Sequence, residues 1–316
     1  MSRPQRNILV IAHAMRDDTV RAAERVVSAL HEAGAQAVVA LDDRSDLAAA
    51  HPAFATLPAL GEEVAIADIE LAIVLGGDGT ILRAAELVRG GTAPVLGINM
   101  GHVGFLAEIE RDDMDAAVHR VIDRDYTVEE RLAISVRVKD AAGAVIYRTW
   151  ALNEATVEKA SRERMLEVVI EIDERPLSSF GCDGVVVSTP TGSTAYNFSG
   201  GGPVIWPTVE AMTVVPLSAH ALFARPLVVG PEAAIAIELL QRTDGAGILW
   251  CDGRRSHPLP PGARVVVRRS DEPVRLARLH PAEFTDRLVR KFQLPVAGWR
   301  GPDAHPDVRA SNGVAR

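Results

Sequence analysis

The sequence predicts an α/β protein in two parts, a parallel-sheet N-terminal unit and a β-rich C-terminal one, and three observations predict it. Unalternated apolar runs such as Asn7–Ala12 are followed by apolar residues at helical spacing, the pattern of strands covered on both faces by helices. A glycine run, Gly76-Gly77-Asp78-Gly79-Thr80, stands between one such strand and the next helical segment. Past residue 126 the pattern becomes alternating, as in Leu132, Ile134, Val136 and Val138, which marks half-exposed antiparallel strands.

In chain order, Asn7–Ala12 is the first strand, and Val20, Ala23, Val27 and Leu30 give a helix that Gly34 stops. Strands follow at Gln36–Leu41, Asp68–Leu75 and Pro94–Ile98, with a helix over Ile81–Val88 and a loop at Asn99-Met100-Gly101-His102. Strand–helix alternation makes residues 1–125 a Rossmann-like parallel α/β domain. Residues 126–272 form a β-rich, antiparallel, β-sandwich-like domain, with strands near 146–151, 165–172, 185–188, 234–239, 247–250 and 264–268. Residues 273–300 hold a last strand and a helix with Pro281 near its start and Phe284, Leu288 and Phe292 on one face, packing back toward the N-terminal domain. Residues 301–316 lack periodicity and are expected to be a disordered tail.

The 316 residues are 47% hydrophobic and 24% charged, with net charge -8, an ordinary globular profile. The negative balance argues against a sequence-independent nucleic-acid binder. No stretch approaches 18 consecutive apolar residues, so no membrane span is expected. Cys182 and Cys251, the two cysteines, suit a reducing, cytoplasmic setting and read as buried thiols.

Gly76–Thr80 presents strand-end and helix-start amides in one concavity, which is a phosphate site. It is neither G-x-G-x-x-G nor a P-loop, and no lysine precedes Lys139. Asp78, a carboxylate inside an anion-binding loop, points to chemistry or metal binding, with helix capping as the alternative. The second dense region runs from Asp183-Gly184 through Ser188–Tyr196 to Ser199 and Gly200–Gly202, after the pair Asn153-Glu154. Hydroxyls and amides beside one aromatic suit a ribose or a base. Ser193 or Thr194 is expected to cap a helix containing Tyr196.

Taken together the chain resembles the NAD kinases, through GGDGT at Gly76–Thr80, NMGHVGFL at Asn99–Leu106, NE at 153–154, STPTGSTAY at Ser188–Tyr196, HALFARP at His220–Pro226 and DG at Asp252–Gly253. The resemblance implies transfer of a phosphoryl group from ATP, or in some bacterial members inorganic polyphosphate, to the 2′-hydroxyl of the adenosine ribose of NAD, with Mg²⁺ arriving with the donor. It makes Asp78 the residue that orients and deprotonates the hydroxyl. Gly76, Gly77, Gly79 and Thr80 would admit phosphates, and Phe105 would flank the adenine. Asn153 and Glu154 would read NAD, and Asp183 would take its nicotinamide side. Thr194, Ala195, Tyr196 and Ser199 would line the rest, with Ser188 contacting or only shaping the turn. His220 and Arg225 are placed on the donor side, and Asp252 as a further ligand or a hairpin residue. The resemblance also implies a homodimer or homotetramer. A glycine-loop lipid kinase would need an apolar or basic membrane-facing surface, and a non-catalytic NAD sensor would have no need of Asp78.

Overall fold

The computed structural model describes residues 5–101, 104–161, 165–241, 246–280 and 284–296. His102, Pro281 and the expected tail at 301–316 lie outside the described residues. The N-terminal sheet runs in the order Ala59–Leu60, Gln36–Ala40, Asn7–Ala12, Ile69–Leu75, Val95–Asn99, Val274–Arg278 and Thr127–Arg131, with Ile109–Glu110 also beside Val95–Asn99. Its pairings are parallel up to Val274–Arg278, which meets Thr127–Arg131 antiparallel.

Helices Asp17–Glu32 and Met114–Asp123 cover one face of this sheet, burying Val20, Ala23, Val27, Leu30, Val118 and Val121 against Ile8, Val10, Leu71 and Ile73. Helix Asp78–Leu87 covers the other face through Ile81, Leu82, Ala84 and Ala85, in a core that also takes in Ala133 and Leu152. The β-rich part is thus joined to the parallel sheet by shared apolar packing, on the side that carries the glycine loop.

The β-rich part is two six-stranded antiparallel sheets. One is ordered Leu227–Val229, Met212–Leu217, Gly184–Ser188, Glu154–Lys159, Gly247–Cys251, Arg255–Leu259, and the other Arg175–Cys182, Leu166–Ile172, Ile235–Leu239, Arg264–Arg269, Ile134–Lys139, Val145–Ala151. Side chains of both sheets, among them Val136, Val157, Val168, Val187, Ile237 and Leu249, meet in one core, the sandwich arrangement.

Three local differences from the sequence reading have physical causes. Thr127–Arg131, in the stretch assigned to the β-rich part, pairs instead with Val274–Arg278 and extends the N-terminal sheet. Its sequence TVEER carries no apolar alternation to announce a strand. The helix after the glycines starts at Asp78, because Gly77 is extended and Asp78-Gly79-Thr80 form its first turn. Glu154–Lys159 is a central strand although its sequence, EATVEK, is mostly polar: Glu154, Thr156 and Glu158 share one face, and the first two are buried.

Candidate active site

The glycine loop is shaped by packing at Gly76 and left open at Gly77 and Gly79. A Cβ on Gly76 would stand 2.5 Å from the Thr80 hydroxyl, whereas a Cβ on Gly77 or Gly79 would meet nothing within 4 Å. The first-turn amides of a helix have no intrahelical acceptors, so this open edge suits an anion.

Asp78 begins that helix, and its carboxylate is oriented by a second loop. Phe105 donates its amide to Oδ2 and Leu106 donates its amide to Oδ1, each at 3.0 Å. The loop can lie this close because residue 104 is glycine: a Cβ there would stand 2.8 Å from Cγ of Asp78. A carboxylate offers about four acceptor positions, so two N–H donors hold Asp78 in place and leave others for a substrate hydroxyl. Upstream, Asn99 pins the start of the loop, accepting from the Gly101 amide and donating to Glu110.

Phe105, expected beside the adenine, is only 8% exposed. Its ring lies 6.0 Å from Phe284 and 5.8 Å from Phe292, so the last helix covers it and its amide, not its ring, serves Asp78. Arg287 of that helix donates to the carbonyls of Phe105 and Ala107 and pairs with Glu108.

The second group of site residues gathers where Glu154–Lys159 meets Gly184–Ser188, with Glu154 opposite Ser188. Glu154 is 7% exposed, and its Oε2 has no hydrogen-bond partner among the described residues. Burial, helped by the charge of Asp252, pushes its carboxyl up to about 8, against a counteracting amide from Tyr196. An orphaned buried oxygen calls for an explanation, and a ligand group that hydrogen-bonds to it supplies one. Asn153 is also buried.

Asp252 stands in the turn between the paired strands Gly247–Cys251 and Arg255–Leu259, the hairpin position that is one of its two readings. It accepts from the amides of Leu152 and Asn153 and from Arg255, at 3.0, 2.7 and 2.7 Å, and its side chain is 1% exposed. Asp252 therefore holds the backbone of the Asn153-Glu154 corner. Burial pushes its carboxyl up, while those donors oppose the shift.

The Ser/Thr block is likewise spent largely on its own backbone. Ser188, fully buried, donates to carbonyls of Asn153 and Thr189, and Thr189 reaches the carbonyl of Leu152. Ser193 binds the carbonyls of Pro190 and Ile205. Asn197, not singled out by the sequence, ties Ser193 to Pro203 and accepts from Thr213. The helix at Tyr196–Ser199 is one turn long and has no side-chain cap from Ser193 or Thr194. Thr194 and Ala195 are half-buried, and Tyr196 and Ser199 are exposed.

A third group sits at the far end of the same two strands. Asp183 pairs with Lys159, which holds its carboxyl below the usual range together with Ser218 and His220. The five steps from Glu154 to Lys159 place this end about 17 Å from Glu154 at strand rise. Burial, joined by the charges of Glu158, Glu154 and Asp183, pushes the Tyr196 hydroxyl up. His220 donates its amide to Gly181 and lies with Asp183. Arg225 is exposed on the loop that follows. Lys159 was missed because its position opposite Asp183 exists only through strand pairing.

Glycine loop and NE corner are connected. Glu86, on the helix that begins at Asp78, pairs with Arg254 and Arg255, and Arg255 in turn holds Asp252. Arg255 and Arg89 lie over the Trp150 ring at 4.6 and 4.3 Å. Cys182 and Cys251 are buried, and burial pushes both thiols up to about 12.

A parallel sheet with an open glycine loop, joined to a β-sandwich that presents buried polar groups in a line, defines a two-domain nucleotide-binding protein. Residues 8–126 match the ATP-NAD kinase N-terminal domain and residues 152–279 the ATP-NAD kinase C-terminal domain. The chain belongs to the ATP-NAD kinase family. It is 66% identical over 299 residues to an NAD kinase of Leifsonia xyli subsp. xyli, covering 95% of this chain and 98% of that one. An NAD kinase of Mycobacterium tuberculosis is 50% identical over 305 residues, covering 94% and 98%. Among solved structures, yeast NADH kinase complexed with NADH superposes with a TM-score of 0.82 at 22% identity, covering 94% of this chain and 90% of that one. An NAD kinase from Archaeoglobus fulgidus in complex with ATP gives 0.69 at 23% identity, covering 92% and 99%. These two likenesses concern the fold.

Proposed function

We propose that the chain transfers the terminal phosphoryl group of ATP to the 2′-hydroxyl of the adenosine ribose of NAD, giving NADP. The observation that carries this reading is Asp78, a carboxylate fixed by two amides at the mouth of a glycine loop with acceptor positions to spare. Phosphoryl transfer asks mainly for alignment and charge neutralisation. Asp78 orients the attacking hydroxyl and takes its proton, while the open edge at Gly77 and Gly79 receives the donor phosphates. Asn153 and Glu154 bind the adenosine half of NAD, Asp183, held by Lys159, receives the nicotinamide half, and Tyr196 lines the rest of the site.

Among the described residues no three Asp, Glu, His or Cys side chains converge as a metal cage. Asp78 beside a phosphate loop fits a Mg²⁺ that comes on the donor and keeps much of its water. Such an ion neutralises charge on the transferred group. Inorganic polyphosphate offers the same oxyanions and is the alternative donor. Leu222 and Phe223, exposed at 112% and 59% beside His220, support self-association as a homodimer or homotetramer, which light scattering would test.

The deciding experiment is NADP formation from NAD and Mg²⁺, with ATP and separately with polyphosphate, for the wild type and Asp78→Asn. The expected result is wild-type turnover and a loss of roughly 10²–10⁴-fold in kcat in the variant, with NAD binding kept. Folded wild-type protein that binds NAD yet forms no NADP with either donor would favour the sensor reading.

A further inference from the structure

Behind the loop that orients Asp78 is a cavity of about 240 Å³ into which three buried guanidiniums converge, those of Arg131, Arg278 and Arg287. Their side chains are 8%, 10% and 13% exposed. They share two carboxylates. Glu129 pairs with Arg131 and Arg278, and Glu108 with Arg278 and Arg287. Among the described residues the cluster is therefore three cations against two anions, in a chain whose net charge is -8.

Buried charges are normally matched, because an unmatched one loses hydration without return. The mismatch is felt at Arg131. Glu129 lies 2.9 Å from its Nε but off the N–H axis, and that nitrogen has no hydrogen-bond partner among the described residues. Burial, joined by repulsion from Arg278, pulls the Arg131 guanidinium down to about 10. Arg287 is pulled down by the same two causes.

The walls also speak for a ligand. Trp206 and Phe284 line the cavity with rings 5.1 Å apart, and Thr208 stands exposed at its rim. Its size falls below the roughly 300–1,000 Å³ of pockets for drug-sized ligands. Guanidinium forks match the oxygens of phosphate. We propose that this cavity is a binding site for a small inorganic oxyanion of the phosphate class, separate from the glycine loop. The bound anion supplies the negative charge that Glu108 and Glu129 leave short. Through Arg287, which grips the carbonyls of Phe105 and Ala107, its occupancy is passed to the loop that orients Asp78.

The test is thermal unfolding against inorganic phosphate at constant ionic strength, in the wild type, Arg131→Met and Thr208→Glu. Arg131→Met leaves two arginines facing two carboxylates, and Thr208→Glu adds a repelling charge at an exposed position. The wild type should show a Tm that climbs with the logarithm of phosphate concentration once that exceeds the Kd, and the concentration at which the climb sets in should move at least tenfold upward in each variant. A general salting effect would grow in proportion to phosphate concentration and be common to all three. Should Arg131→Met fail to fold, Thr208→Glu decides alone. Absence of a logarithmic rise in the wild type, or a smaller move in either folded variant, overturns the proposal. ATP, too large for the cavity, should raise Tm in a way that Arg131→Met leaves in place. A rise with ATP that the variant removes would overturn the assignment to a small free anion.

Discussion

Gly192 lies directly on the backbone of Asn153, where a Cβ would penetrate the carbonyl group and stand 2.6 Å from Cα. The glycine of the Ser/Thr block therefore exists to let that block close over the NE corner. Gly192→Ala should cost about 1–3 kcal/mol, the usual range for overpacking, and should weaken NAD binding more than it lowers kcat. Urea unfolding and an NAD titration check both parts, and unchanged affinity would separate the two segments functionally.

Gly104 plays the same part for Asp78. Gly104→Ala would push the loop or the carboxylate aside, since the new methyl would crowd Asp78. A displacement of this order can cost about 10²-fold in rate. The expected result is a fall in kcat with little change in the Kd for NAD, read from steady-state kinetics beside calorimetry.

Glu154 gives the protein a pH signature. Its carboxyl is raised in the folded state from 4.5 to about 8, so between those values the folded protein binds more protons than the unfolded chain. Its contribution to stability is full below pH 4.5 and is lost as pH rises through about 8. Glu154→Gln should remove that loss, gaining on the order of a few kcal/mol relative to the wild type between pH 5 and pH 8.5. Denaturant curves at the two pH values test it; a wild-type-to-variant difference that does not move with pH would count against a raised carboxyl.

Glu86 and Arg255 join the helix of Asp78 to the strand end that holds Asp252, at 2.9 Å. Both are about one-fifth exposed, which moderates the pair's worth. A double-mutant cycle with Glu86→Gln and Arg255→Met should give a coupling of about 0.5–1 kcal/mol. Arg255→Met alone should also raise the KM for NAD, because Asp252 would keep its two amides but lose its cation.

Local signals made much of this protein legible without coordinates. NILVIA and AIVL needed only their apolar runs to read as buried parallel strands, because a strand covered on both faces has no polar face to disguise it. The GGDGT loop, the NE pair and the Ser/Thr block were found from residue type and order. Polar strands were hidden for the opposite reason: the charges of TVEER and EATVEK go largely into ion pairs and a site, and such charged stretches resemble a surface loop.

What each site residue does was decided by pairing across distance. Ser188 reads in the sequence as a contact or a turn-shaping residue and Asp252 as a ligand or a hairpin residue; both, with Thr189 and Ser193, satisfy backbone amides and carbonyls that burial would otherwise leave unmatched. Phe105 serves Asp78 with its amide because Phe284 and Phe292, nearly two hundred residues on, cover its ring. His220 joins Asp183 through strand pairing. The sequence by itself determined the fold class and the chemical inventory, since strands, turns and glycine loops are written in neighbouring residues. Only the tertiary structure decided which of those groups keep open hydrogen-bonding positions and which hold the frame, because hydrogen bonds and ion pairs are made by residues far apart along the chain.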